Sequence, residues 1–397
     1  MLRVFIDARK ILDGGIGTYI WNLVDGLTSI TDPENFGITM LIPKVASEQL
    51  QPRLSTLAWK PFCVMDDTRG YSLSEMVFLA SRHQQLIAEH DIYHAPHYTL
   101  PYGIEIPAVV TVHDAIHVTH PDSLLHKTLG NRMIRSALAR SAATITVSNA
   151  SARAIRQIMP AVAERLFVIP NALKREYLEQ PLSNVPKDYL LFVGSDRPHK
   201  GYRELLQALS RIVLVDGLLP GGMRPRLVAV GCRFSEETKV LEQKMVPEWE
   251  VIHPGAISEI ELRMIYSGAR GVVIPSREEG FGLVALEALA SGIPVVATPV
   301  PCLKEYFSQE IEFAAGFSVE ALSAAIERML LTDDNDSRQK QRRAIASRFS
   351  IEEQARQTLE VYQACAGKTV DIASDSEDEE DMHCFQVKGA HLSAVKM

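Results

Sequence analysis

The sequence has only five cysteines in 397 residues, Cys63, Cys232, Cys302, Cys365 and Cys384, and none forms a Cys-x-x-Cys pair. An odd, widely spaced set excludes a disulfide framework and a cysteine-based zinc knuckle, and suits reduced thiols. No uninterrupted apolar run approaches the roughly 20 residues that span a bilayer. The start, Met1-Leu2-Arg3-Val4-Phe5-Ile6-Asp7, lacks the apolar core of about 7–15 residues that a secretory signal needs, so a cytoplasmic location is expected. A basic excess is missing too. The 41 Lys and Arg face 49 Asp and Glu, a net charge of −8, which speaks against a nucleic-acid partner. A composition of 46% hydrophobic and 23% charged residues excludes collagenous and wholly disordered chains. At about 100–200 residues per domain, the length favours two domains, each with its own core.

What is present is a rhythm. Short Val/Ile-rich runs alternate with amphipathic segments of helical length, as in strand-helix-strand units on a parallel sheet. In the first half the runs are 3–7, 37–43, 91–94, 108–113, 143–147 and 166–170. The pattern restarts at 189–194, 227–231, 250–253, 271–275 and 294–298, with helices expected over 201–215 and 282–291. Between the two series, 171–187 carries Pro181 and Pro186 and no sustained period, which places a hinge there. The expected division is thus a first α/β domain over 1–175, a hinge over 176–187 and a second α/β domain over 188–349. A C-terminal helix over 350–366 follows, with Ser350 as N-cap and Glu353 three residues on. The remainder, 367–397, should be a disordered acidic tail. Seven acids against three lysines in 368–397 make up four of the eight excess negative charges, so the folded body is nearly neutral.

The segment Glu278-Glu279-Gly280-Phe281-Gly282-Leu283, followed by Glu287, lies between two of these strands. Its glycines allow a tight turn, and the helix that follows presents unpaired amides at Phe281, Gly282 and Leu283 to an anion, best a phosphate. Glu287, about 7–8 Å further along the axis at 1.5 Å per residue, would reach the hydroxyls of a ribose. Glu279 would face the sugar at the other end of the diphosphate. Taken singly, these glutamates would read as solvated charges; the glycines, strand and helix start around them favour a nucleotide-sugar site.

The Glu279-to-Glu287 spacing within this glycine-rich segment resembles the signature of glycosyltransferase family 4, whose members have the GT-B fold, two Rossmann-like domains with parallel sheets facing a central cleft, and transfer sugars with retention. Other segments resemble the family in the same order: Ile6-Asp7-Ala8-Arg9 with Gly14-Gly15-Ile16-Gly17, Val112-His113-Asp114, Val168-Ile169-Pro170-Asn171, and Val193-Gly194 through Pro198-His199-Lys200-Gly201. The resemblance spans about 1–365 and implies roles. Gly15 and Gly17 would let the backbone approach the donor phosphate or the acceptor, Lys200 would hold the diphosphate and stabilise the leaving group, and His113 would contact the donor sugar or phosphate. Glu279, His113 and Lys200 are then the catalytic candidates. Ser195 and His199 stand where many members have arginine, and Arg197 is expected to supply that cation.

Seven of the twelve histidines fall between His90 and His126. The spacings His113/His117 and His117/His120 occur in metal sites, but no helical frame such as His-Glu-x-x-His supports them. The expectation is therefore no metal and no other cofactor, with His94, His97, Tyr98 and Asp114 on the acceptor side. The basic amphipathic segment Leu124–Arg140 reads first as a helix packed on the sheet and second as a peripheral membrane contact at the inner face. The expected reaction moves a hexose, mannose from GDP-mannose or glucose from a UDP-sugar, to a glycan or lipid-linked acceptor. The rival readings are a nucleotide-sugar 2-epimerase and a catalytically silent binding protein of the same fold.

Overall fold

The computed structural model describes residues 1–116, 124–178, 188–212, 224–231 and 234–371, with backbone only at 124–127 and 129. Most of the expected hinge and acidic tail, and His117 and His120, lie outside the described residues, as does the His126 side chain. The chain divides into two compact units, Met1–Lys174 with Ser350–Met397, and Arg175–Phe349.

Each unit is built on an all-parallel sheet. The first has seven strands in the order β3-β2-β1-β4-β5-β6-β7: β1 Leu2–Asp7, β2 Phe36–Ile42, β3 Phe62–Met65, β4 Ile92–Ala95, β5 Ala108–Val112, β6 Ala143–Thr146 and β7 Leu166–Val168. The second has six in the order β10-β9-β8-β11-β12-β13: β8 Tyr189–Val193, β9 Arg226–Val230, β10 Glu250–Ile252, β11 Ala269–Ile274, β12 Val295–Ala297 and β13 Ile311–Phe313. Central strands such as Ala108–Val112 are buried at every residue, because helices cover both faces of the sheet. Two strands escape the sequence pattern. β3 is an edge strand with Phe62 and Met65 exposed, and β13 has three residues, too few for any period to register. The helix expected over 201–215 is the helix Tyr202–Leu209 preceded by a short turn at Pro198–Lys200.

The helix Ile351–Ala366 packs on the first unit. Ser350 caps it by accepting from the Glu353 amide. It lies against the helix Gly14–Ile30, and the approach is close enough that a Cβ on Gly26 would sit 2.3 Å from the Ile351 carbonyl oxygen. Across the same layer Tyr362 Oη hydrogen-bonds His94 Nδ1 at 2.5 Å, and His94 Nε2 meets Thr111 Oγ1 at 2.8 Å. His94 is fully buried. It therefore leaves the acceptor-side set: both ring nitrogens are engaged inside the core, and its work is to join β4 to the last helix.

Burial, with the nearby His97 and His113, pushes the His94 pKa down to about 3 from 6.5. A folded value below the unfolded one means that the unfolded chain binds the proton first. The protein thus keeps its full stability above the unfolded pKa and loses it as pH falls through that window, by about 1.4 kcal/mol per pH unit. His94→Gln is expected to flatten the fall in urea midpoint between about pH 6 and pH 4 relative to wild type; a slope equal to wild type would contradict the buried, neutral ring.

In the helix Leu124–Arg140, Met133, Ile134, Ala137 and Leu138 are buried, and the last three join the core that holds Val110 and Val112. Its apolar stripe thus faces the sheet. Among the described residues, no helix is long and apolar enough to cross a membrane.

Candidate active site

In a parallel sheet the loops that leave two neighbouring strands on opposite faces open a crevice at the carboxyl ends. The order of the second sheet puts that point between β8 and β11. The loops after β8, β9 and β11 are stitched together there. Gly231 comes so near that a Cβ would lie 1.6 Å from the Gly194 carbonyl oxygen, and Gly201, with φ +68°, leaves no room for a Cβ beside the Pro275 carbonyl. The Arg277 amide donates to the His199 carbonyl at 2.8 Å.

This stitching brings Lys200, after β8, to Glu279, after β11. Lys200 Nζ donates to both carboxylate oxygens of Glu279, at 2.8 and 3.0 Å. Ser276 Oγ adds a third bond to Oε1 at 2.6 Å, and Cys302 Sγ donates to the Glu279 carbonyl at 3.2 Å. The pair is half-buried, with 26% of the Lys200 and 15% of the Glu279 side chain exposed. Both groups therefore stay within reach of a ligand while being held in place.

Three residues beyond Glu279, Gly282 takes φ +105°, and a Cβ there would overlap Leu303 at 2.2 Å. The helix Leu283–Ala290 starts from it, and helical geometry supplies no acceptor for its first amides. Glu287 lies one turn in, where Tyr266 Oη donates to its Oε2 at 2.8 Å. Tyr266 is fully buried and meets Tyr177 edge to face at 6.1 Å, so the carboxylate is braced from within the unit. The Phe281 side chain is buried among Tyr306, Phe307 and Phe349, so only its backbone can meet a donor. Leu283 is half-buried at the helix start, and the Arg197 side chain is exposed while its carbonyl accepts from the Lys200 amide at 2.9 Å.

The corresponding point of the first sheet lies between β1 and β4. After β1 the chain turns at Gly14, with φ +46°, into the helix Gly14–Ile30; Gly15 is exposed in its first turn. A Cβ on Gly17 would sit 2.3 Å from the Ile11 carbonyl oxygen, so that glycine sets how tightly the loop folds. Asp7, at the end of β1, is fully buried. Burial alone would raise its pKa, but the Arg9 guanidinium, bonded at 2.8 and 2.6 Å, holds the carboxyl well below the usual range. Arg9 also bonds Glu75 at 2.7 Å, and Tyr93 Oη donates to Asp7 at 3.2 Å. Asp7, Glu75 and His97 stand close enough to share an ion, yet the guanidinium already lies on both carboxylates.

His113 follows β5. Its Nε2 donates to the Pro96 carbonyl at 3.0 Å, which leaves Nδ1 as the acceptor nitrogen, and the Tyr19 ring lies edge-on at 4.8 Å. Burial lowers its pKa, so the ring is neutral near pH 7. Asp114 does not bond this ring; its Oδ1 accepts from the Ile116 amide at 3.0 Å and shapes the turn. His97 follows β4 and is buried, and Tyr98 stacks on Tyr71 at 5.2 Å.

The structure thus brings Lys200, Glu279, Gly282, Leu283 and Glu287 to one switch point, and Gly15, Gly17 and His97 to the other. Sequence reasoning missed Ser276, Tyr266 and Glu75. Only Ser276, three residues before Glu279, had a local signal.

Residues 174–348 match the family model described as Glycosyl transferases group 1, and residues 13–177 match that of Glycosyltransferase Family 4. The chain is 30% identical over 290 residues to the O-antigen chain mannosyltransferase B of Escherichia coli, covering 68% of this chain and 74% of that one. It is 24% identical to the O-antigen chain mannosyltransferase RfbU of Salmonella typhimurium, over 66% and 68% of the two. Among solved structures, Anabaena HepE in complex with UDP-glucose superposes with a TM-score of 0.70 at 17% identity, covering 92% of this chain and all of that one.

Proposed function

Because the chain belongs to glycosyltransferase family 4, as a hexosyltransferase of the GT-B fold, we propose that it moves mannose from GDP-mannose, with retention, to a glycan or lipid-linked acceptor. The observation that carries the donor site is the Lys200–Glu279 pair beside the glycine-led start of the helix Leu283–Ala290. Mannose is supported by the two O-antigen mannosyltransferases to which the chain is similar.

In the free protein Lys200 and Glu279 neutralise each other. A bound diphosphate draws Lys200 towards its β-phosphate, where the cation and the helix amides stabilise the charge that grows as the sugar C1–O bond breaks. Glu279, released from the cation but still held by Ser276, accepts hydrogen bonds from the sugar hydroxyls. Glu287, braced by Tyr266, does the same for the ribose. The acceptor oxygen attacks C1 from the face that the diphosphate leaves, and its proton passes to the departing phosphate oxygen. His113, its Nε2 held by the Pro96 carbonyl, can offer only Nδ1, as an acceptor, to a sugar hydroxyl. No metal is needed for the leaving group, since Lys200 and the helix start supply the positive charge.

Incubation with GDP-mannose and, separately, UDP-glucose tests this. GDP release should exceed UDP release by about tenfold or more, a difference of roughly 1.4 kcal/mol in barrier, and EDTA should not change the rate. The product should keep the donor's anomeric configuration by NMR. An inverted product would discard the front-face route, and a preference for UDP-glucose would reassign the donor.

A further inference from the structure

One face of the first sheet carries polar side chains inside an otherwise apolar core. Tyr19, His94, Thr111 and Tyr362 are each at most 1% exposed, and the two tyrosines belong to the cluster that holds Ile6, Ile92 and Val109. Buried polar groups cost free energy unless they find partners. These four find one another in a single chain. Tyr362 Oη meets His94 Nδ1 at 2.5 Å, His94 Nε2 meets Thr111 Oγ1 at 2.8 Å, and Thr111 Oγ1 meets Tyr19 Oη at 3.0 Å. The Tyr19 ring then stands at 81° to the His113 ring, with the centroids 4.8 Å apart.

We propose that Tyr362, His94, Thr111 and Tyr19 are positioning residues that act through the Tyr19 ring to fix the plane of His113. The last helix thereby sets the geometry of a histidine at the carboxyl end of β5. The proposal rests on His113 as a group that meets the transferred sugar, and adds what holds it there.

Burial and the supply of partners set the proton directions. Burial keeps both tyrosine hydroxyls protonated and the His94 ring neutral, so one ring nitrogen donates and the other accepts. Among the described residues the Tyr362 hydroxyl has no acceptor other than Nδ1. Were Nδ1 the donor, that O–H would be buried without a partner, which is costly. Tyr362 therefore donates to Nδ1, and Nε2–H donates to Thr111 Oγ1. Tyr19 meets the same oxygen, so its ring is tethered at the hydroxyl as well as through its helix.

His113 needs such a wall. Its Nε2 donates to the Pro96 carbonyl at 3.0 Å, and its own carbonyl accepts from Ser151 Oγ at 3.1 Å. These bonds hold the backbone and one corner of the ring, and leave the ring able to tilt about the Nε2–H bond. The perpendicular Tyr19 ring, in the edge-to-face geometry that aromatic pairs prefer, removes that freedom. A tilt would displace Nδ1, the nitrogen left to a sugar hydroxyl, and small displacements of a positioned group lower the rate. Phenylalanine at 19 and 362 would fill the same space, so packing alone does not require the hydroxyls.

Donor hydrolysis by the intact chain tests the proposal. Tyr19→Phe and Tyr362→Phe, which keep the rings and remove the hydroxyls, should each lower kcat for GDP release from GDP-mannose by about three- to tenfold. KM and GDP affinity should not change, and the His113 ring signals should shift in proton–nitrogen NMR spectra of both variants. The double variant should lose no more than the more affected single one, because both act through one chain. Unchanged kcat and unchanged His113 signals in either folded variant would overturn the proposal, as would losses that multiply in the double variant. If Tyr19→Phe fails to fold, Tyr362→Phe decides alone. Wild-type kcat in His113→Ala would sink the reading of His113 and the proposal with it; a loss there without one in Tyr362→Phe would sink the proposal alone.

Discussion

Replacing Glu279 by alanine is expected to lower kcat/KM by about 10²–10³ or more while the protein stays folded and still binds GDP. The direction of the binding change separates this outcome from general damage. Lys200 spends the free state paired with Glu279 at 2.8 and 3.0 Å. Without that carboxylate the ammonium is fully available to a diphosphate, so GDP affinity should hold or rise as transfer is lost. The stability cost should be small, because both partners keep contact with solvent and such pairs contribute about 1 kcal/mol or less. Steady-state kinetics beside GDP titration is the measurement. Full transfer by the variant would remove Glu279 from the site, and a parallel collapse of GDP binding would assign it to folding of the loop.

The second large effect is on stability. Gly26→Val should lower the melting temperature of the first unit by roughly 6–12 °C, on the reckoning that overpacking costs up to about 3 kcal/mol and each kcal/mol is worth 2–4 °C in a unit of this size. The new Cβ would fall 2.3 Å from the Ile351 carbonyl oxygen and 2.8 Å from Ala355 Cβ, and a backbone atom cannot swing aside as a long side chain can. The helix Ile351–Ala366 must lift, and with it Tyr362 from His94. Differential scanning calorimetry with GDP present distinguishes the units, since GDP should hold the second transition in place. An unshifted first transition would mean that the contact is looser than it stands here.

The parts of this molecule that were legible in the sequence are those written within one turn or one strand. The Val/Ile runs gave eleven strands because a strand buried on both faces must be apolar throughout. Gly282 and Glu287 could be read together because a helix fixes their spacing at five residues. Contacts made across the fold left no such trace. Tyr266 braces Glu287 from the preceding helix, and Glu75 reaches Arg9 across 66 residues. Nothing near either residue announces its partner. His94 and His97 show the limit most plainly. They sit three apart on one strand and its loop, and local pattern gave them the same role, yet one meets Tyr362 inside the core and the other lines a cavity. Nor does local pattern announce the aromatic cluster from 306–307 and 349 that takes the Phe281 ring.

The return of the last helix to the first unit has a consequence for the order in which the molecule is made. Arg175–Phe349 interrupts a unit that begins at Met1 and closes only with Ile351–Ala366, where Lys368 bonds Asp91 and the Met1 carbonyl. During synthesis the first sheet emerges first but lacks the helix that covers Gly26 and engages His94. The second unit is complete as soon as residue 349 has left the ribosome. The half of the chain translated first must therefore finish folding last, and until then the apolar face awaiting that helix is what a chaperone would find.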